Sequence, residues 1–135
     1  MQIGKYIHAK LLADTAVAAI VSNRIYPVFI PATVTGVSIV YMVSNEPHAI
    51  GKGEDSTHTK SLVTLHLWAD ASQGAQVYSV LEDLDAAVYD ALHLVDATAG
   101  SITVDSCLHL GTNDGRDDNN LYYLKTAKYQ IIHRR

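Results

Sequence analysis

Apolar residues recur along this chain with two different periods, and the switches between them mark out its elements. Ile3, Ile7 and Leu11 fall at i, i+4 and i+8, one face of a helix. Asp14 then stands where an N-cap belongs: its carboxylate can accept the free amide hydrogens of a second short turn, Thr15 to Val21. Ser22 and Asn23 end that turn. Arg24-Ile25-Tyr26-Pro27 follows, with Tyr26 forced extended by Pro27, and Pro31 prolongs the irregular stretch.

The period then drops to two. Val37, Ile39, Tyr41 and Val43 alternate with Ser38, Val40 and Met42, which predicts a strand apolar on both faces. From Lys60 to Asp70, Ser61, Val63, Leu65, Leu67 and Ala69 share a core face, and the opposite face is mixed and carries Trp68. Asp70-Ala71-Ser72-Gln73 has capping-box spacing. The apolar line Val77, Leu81, Leu84, Val88, Leu92 then returns to a period of 3.6. A helix from about 72 to 93 runs roughly 33 Å at 1.5 Å per residue. A globule of this length is roughly 37 Å across, so that helix reads as the spine of the fold.

Ile102, Val104, Leu108 and Leu110 alternate with Thr103, Asp105, Cys107 and His109, another strand. Asn113-Asp114-Gly115 is a turn signal, and Leu121 to His133 reads as a long return strand. The predicted order is α-(α)-β-β-α-β-β. The fold class expected is α+β, a two-layer sandwich with one long helix packed on a mostly antiparallel four-stranded sheet. The whole of 1–135 reads as a single domain with a long loop at 44–59 and a hairpin tip at 112–120.

Composition supports a folded domain. The 135 residues are 48% hydrophobic and 18% charged, with mean hydropathy +0.07, a balance that excludes intrinsic disorder. No apolar run reaches the ~18 residues of a membrane span. The first ten residues lack the pattern of an export signal. A lone cysteine, Cys107, has no partner for an internal disulfide and fits a reducing compartment. Net charge is −4, which argues against a protein that grips phosphates. The charge is uneven: Glu82 to Asp118 holds nine acids and one base, Arg116. That stretch is either a solvated helix face with an acidic turn or a patch that meets a basic surface.

Candidate chemistry is sparse. Seven histidines are scattered at 8, 48, 58, 66, 93, 109 and 133, none paired at i, i+4 beside an acid as a zinc protease requires. His66, His109 and His133 lie on predicted strands; their convergence would make a metal site, and their separation ordinary surface histidines. Asp114, Asp117 and Asp118 lack the ordered spacing of a calcium loop. Gly51-Lys52-Gly53 lacks the spacing that wraps phosphates. Glu82, Asp83 and Asp85 read more simply as a solvated helix face than as an acid–base pair. No catalytic, cofactor-binding or metal-ligating residue is assigned, and no cofactor is implied.

The order of these features resembles the tail-completion proteins of long-tailed phages, also called tail terminators or tail-to-head joining proteins. The resemblance rests on Leu11-Leu12-Ala13-Asp14, on Asn23-Arg24-Ile25-Tyr26-Pro27 and Ser38-Ile39-Val40-Tyr41, and on Leu65-His66-Leu67-Trp68-Ala69-Asp70 leading into a long helix. Ala32 to Val37 lacks the prolines and polar residues of the family pattern, and the acidic hairpin tip has no place in it. The resemblance implies a non-enzymatic virion protein at the neck, assembled in the host cytoplasm. Such proteins form a ring, usually of six copies, on the head-proximal end of the tail tube; the ring stops tube growth and meets the head connector. Its implied partners are its own copies, the tube protein and a connector or adaptor, with DNA passing through without specific binding and no membrane contact. Six globules of this size in a closed ring leave a hole of about 37 Å. An acidic wall there would keep the duplex from sticking. Candidate interface residues are Arg24 and Tyr26 beside the proline turn, Glu46, His48, Lys52, Glu54 and Asp55 in the long loop, Trp68, and Asp114, Arg116, Asp117 and Asp118 at the hairpin tip. Tyr41, Tyr122, Tyr123 and Tyr129 are further aromatic candidates for core or interface. Two other readings remain: a head-completion adaptor ring, and a small metal- or ligand-binding domain built on the strand histidines.

Overall fold

The computed structural model describes residues 3–31, 36–45, 58–70, 74, 76–100, 102–116 and 122–134. Three helices lie on one face of a six-stranded mixed sheet that curls around them. The elements run α1 (Ile3–Ala13), α2 (Thr15–Val21), β1 (Ile25–Pro27), β2 (Ser38–Asn45), β3 (His58–Asp70), α3 (Gln76–Leu92), β4 (Ala97–Ala99), β5 (Ile102–Arg116) and β6 (Tyr122–Arg134). Their order across the sheet is β1-β2-β3-β6-β5-β4, parallel only between β1 and β2.

This corrects the expected sandwich of one long helix on four antiparallel strands. The sheet has six strands, one pair is parallel, and α3 begins at Gln76 rather than near 72. Its 17 residues give about 26 Å. Asp70 is not a helix cap, because it is the last residue of β3 and pairs with Tyr122. The two missed strands, β1 and β4, have three residues each, too short to show an alternation. The dominant elements are instead β3 and β6, which pair along all 13 residues of each. At about 3.3 Å per residue such strands span roughly 43 Å, so they must coil to stay within a domain of this size.

The core lies between the sheet and the helices. Ile3, Tyr6, Ile7 and Leu11 of α1 and Leu81, Leu84, Val88 and Leu92 of α3 are fully buried, on the helix faces that the spacing predicts. They meet Ser61, Val63, Leu65, Leu67 and Ala69 of β3, the core face expected from alternation. Burying each large apolar side chain contributes roughly 1.5–3 kcal/mol. Asp14 caps α2 as expected, accepting the Val17 amide at 3.0 Å. Helix α1 touches β1 and β2 and also β4 and β5, so it bridges the two ends of the curled sheet. The β4–β5 turn fits against it closely: Gly100, at φ +55°, sits where a Cβ would come within 2.7 Å of the Lys5 carbonyl oxygen.

Strand β5 departs from the simple alternation. Register shifts between Val104 and Ser106, and between His109 and Gly111, mark two bulges. Each adds one residue and reverses which side chains point inward. Leu108 and Leu110, which alternation places on one face with Ile102 and Val104, are therefore 41% and 50% exposed, while Cys107, read from its sequence context as a buried or inert thiol, is fully buried. The second expectation overturned here is the turn at Asn113-Asp114-Gly115. These residues continue β5 and pair with Thr126, Lys125 and Leu124. The loop at 46–57 and the tip at 117–121 lie outside the described residues.

Candidate functional site

The helices cover one face of the sheet, and the pairing of β1 with β2 shapes the other. Parallel neighbours cannot be joined by a tight hairpin, so the chain after β1 must travel back to the start of β2. Part of that return path, Val28 to Pro31, walls a groove on the helix-free face. The path is clamped by Arg24. Its Nε donates to the Val37 carbonyl at 2.8 Å and its Nη2 to the Ile20 carbonyl at 3.3 Å. Gly36, at φ +98°, lies flat against the guanidinium, where a Cβ would come within 3.2 Å. Arg24 therefore ties the end of α2 to the entry of β2.

The groove has a volume of about 460 Å³. Val40 and Met42 of β2 and His66 and Trp68 of β3 form its floor, Val28 and Phe29 one wall, and Tyr122 closes an end. Trp68 and Tyr122 meet edge to face with ring centroids 5.7 Å apart. The Trp68 indole N–H is buried without a hydrogen-bond partner among the described residues. His66 shares a hydrogen bond with the Thr126 hydroxyl at 3.2 Å, and burial holds its pKa below the ordinary histidine value. Phe29 is 70% exposed and Val28 60%. Val28 also has φ +68°, and the Phe29 amide donates back to the Pro27 carbonyl at 2.7 Å, closing a three-residue γ-turn. Such a turn is rare and strained, and a β-branched residue is poorly suited to it. Strain of that kind persists where the surroundings hold it, and it concentrates at functional positions.

Of the residues singled out from the sequence, Trp68 is in this groove and Tyr26 is half-buried on β1 opposite Val40. Arg24 is the clamp just described. Asp114 is a counter-ion: its carboxylate accepts from Lys125 Nζ at 2.7 Å and from the Tyr78 hydroxyl at 2.6 Å. Lys125 is nearly buried, also reaches the Tyr78 hydroxyl at 3.1 Å, and lies 4.6 Å from the Tyr78 ring centre. Hydrogen bonds from Lys125 and Tyr78 hold Asp114 below the usual carboxylate range. Hydrogen bonding to Asp114 and Tyr78, against the opposing effect of burial, leaves Lys125 above the usual lysine value. Glu46, His48, Lys52, Glu54, Asp55, Asp117 and Asp118 lie outside the described residues, as does the Arg116 side chain. Tyr129 is fully buried, while Tyr41 and Tyr123 pack against the core.

The strand histidines do not converge. His66 is on the groove face, whereas His109 and His133 are on the helix face, opposite Tyr129 and Val104 respectively. His109 instead meets His93, with ring centroids 6.4 Å apart. His93 Nδ1 accepts the His109 amide at 3.1 Å, and Tyr89 stacks on His93 at 4.4 Å. His109 Nε2 is 2.8 Å from the Thr112 hydroxyl, which donates to Asp85 at 3.2 Å. This cluster fastens the end of α3 to β5. Among the described residues no group of three His, Cys, Asp or Glu side chains is arranged to hold a metal ion. Burial pushes the Cys107 thiol up to about 12, which leaves it without thiolate character.

Val28 and Phe29 are the groove residues that the sequence reading did not single out. Their signal is the apolar run Val28-Phe29-Ile30 between Pro27 and Pro31, where neither helix nor central strand can continue.

An apolar groove thus lies open on the helix-free face of the sheet. The chain belongs to the tail completion protein gp17 family, whose sequence model matches residues 5–134. It is a structural tail-completion protein of the phage-virion type. Its fold is similar to that of a chain in the virion of a native gene transfer agent particle, at 20% identity and a TM-score of 0.67, covering 98% of this chain and 97% of that one. A second solved chain, known by a sequence label alone, is similar at 11% identity and a TM-score of 0.55 over 89% of this chain and 93% of its own. Among curated proteins, none matches.

Proposed function

We propose that this protein is a tail terminator: copies of it close into a ring on the head-proximal end of the tail tube, stop tube growth and offer a surface to the head connector. The observation that carries this reading is the family match over nearly the whole chain. The similar solved chain from a gene transfer agent virion supports a place in the particle. The exposed groove supports a role played through surfaces rather than through a reaction.

A ring around a DNA passage also favours an acidic wall. Helix α3 carries Glu82, Asp83 and Asp90 exposed and has no base. We assign these acids, rather than the paired Asp114, to the passage. The test is tube assembly in vitro. Purified protein added to polymerising tube protein should arrest growth at one end and appear there as a ring by negative-stain microscopy. Tubes that keep growing, bare at both ends, refute the reading.

A further inference from the structure

Among the described residues, positive φ outside glycine occurs at Ser22, Val28 and Leu94. Two of these three positions display the most exposed large apolar side chains among the described residues. Val28 holds out Phe29, and Leu94, at φ +58°, is itself 72% exposed. Left-handed backbone is costly for both residue types, and none of the described residues covers either display. They lie apart on the sheet. The groove behind Phe29 is on the helix-free face of β2 and β3, whereas Leu94 follows α3 at the edge of β5, two strands beyond β3, its amide bonded to the Cys107 carbonyl at 2.8 Å. A subunit cannot therefore reach its own groove with its own Leu94.

We infer that the groove receives the Leu94 corner of a second copy of this chain, in a head-to-tail contact. Two different patches on one subunit are what a heterologous interface needs, and repeated contacts of that kind close into a ring. The area agrees. Val28, Phe29, Met42 and Tyr122 together leave on the order of 400 Å² exposed, from their fractional exposures and usual side-chain sizes. A standard protein interface buries about 800 Å² per partner, a little over half of it apolar. One such groove with a polar rim matches one protein neighbour. This inference takes the tail-terminator ring as its setting.

The test uses tails assembled with cysteine variants and a short bis-maleimide. Cys107 stays silent because it is fully buried. Incorporation of the wild-type protein into tails is scored first, because its failure refutes the ring reading and this contact with it. In tails that do incorporate the protein, Met42→Cys and Leu94→Cys chains mixed together should give a dimer band, and neither alone should. A double variant should give a ladder of multiples. Tails that contain the double variant but show no ladder overturn the contact and leave the ring reading standing. Links from Met42→Cys to the tube protein, or between two Met42→Cys chains, overturn it equally. Phe29→Asp, at an exposed position, should keep the wild-type melting curve and lower incorporation into tails at least tenfold. Unchanged incorporation overturns the contact.

Discussion

Replacing Asp114 with alanine tests whether this residue is a structural counter-ion or a free surface charge. Its carboxylate is 58% exposed, but its partner Lys125 has a side chain only 10% exposed. Removing the acid leaves a nearly buried ammonium with the Tyr78 hydroxyl as its remaining neighbour. A hydrogen bond to a charged group contributes about 1.5–3 kcal/mol, and an exposed ion pair at most about 1. With one partner buried and the other wet, the expected loss is about 1–2 kcal/mol, a fall in Tm of roughly 3–8 °C for a domain of this size. The pH dependence carries the sign. Asp114 is held below its usual value, so its contribution is present above the unfolded carboxylate pKa of about 3.9 and is lost as pH falls through the folded value. Lys125 is raised, so its contribution is present below about 10.4 and is lost as pH rises through the folded value. Denaturant unfolding of wild type and Asp114→Ala across pH 2–11 should show a gap at neutral pH that closes at both ends. Lys125→Met should be close to neutral, since it removes the buried charge along with the need for a partner. Equal stability of Asp114→Ala and wild type at pH 7 refutes the pairing. A fall that persists unchanged at pH 2 refutes its electrostatic origin.

Three further predictions follow from the core and the groove. Gly100→Ala places a Cβ within 2.7 Å of the Lys5 carbonyl at φ +55° and should cost about 2 kcal/mol or more by thermal unfolding; an unchanged Tm contradicts the close packing of the β4–β5 turn on α1. Leu65→Ala, fully buried, should cost about 2–5 kcal/mol, while Leu108→Ala on the outer side of the bulge should stay within about 0.5; comparable losses contradict the register reversal in β5. His66 should titrate below the free histidine value of about 6.5 by NMR because burial disfavours its charged form; its contribution to stability is present above that value and lost as pH falls, and a midpoint at or above 6.5 refutes its burial.

Much of the core was legible because its periods are long and regular. The faces of α1, α3 and β3 and the Asp14 cap follow from spacing alone. The fold class was not legible, for three physical reasons. Strands β1 and β4 are too short to alternate. The neighbour of β3 across the sheet is β6, more than fifty residues away, and sequence period carries no pairing information. Bulges in β5 change which residues face inward without changing the hydrophobic pattern, so Leu108 and Leu110 look like partners of Ile102 and Val104 and are exposed instead. The groove escaped for a related reason. Trp68 stood out by its residue type, but the wall formed by Val28 and Phe29 exists only because β1 pairs in parallel and the chain must return across the open face. Asp114 shows the converse, a residue that looks free in a turn-like string and is held by a lysine eleven positions away.

The central claim is that the protein closes the upper end of the tail, and electron microscopy of particles made without it tests this most directly. A lysate from which this gene is deleted should contain tails without heads, many of them longer than normal. Full heads without tails beside tubes of normal length would contradict it and move the protein to the head side of the neck. Normal particles would contradict a role in joining altogether.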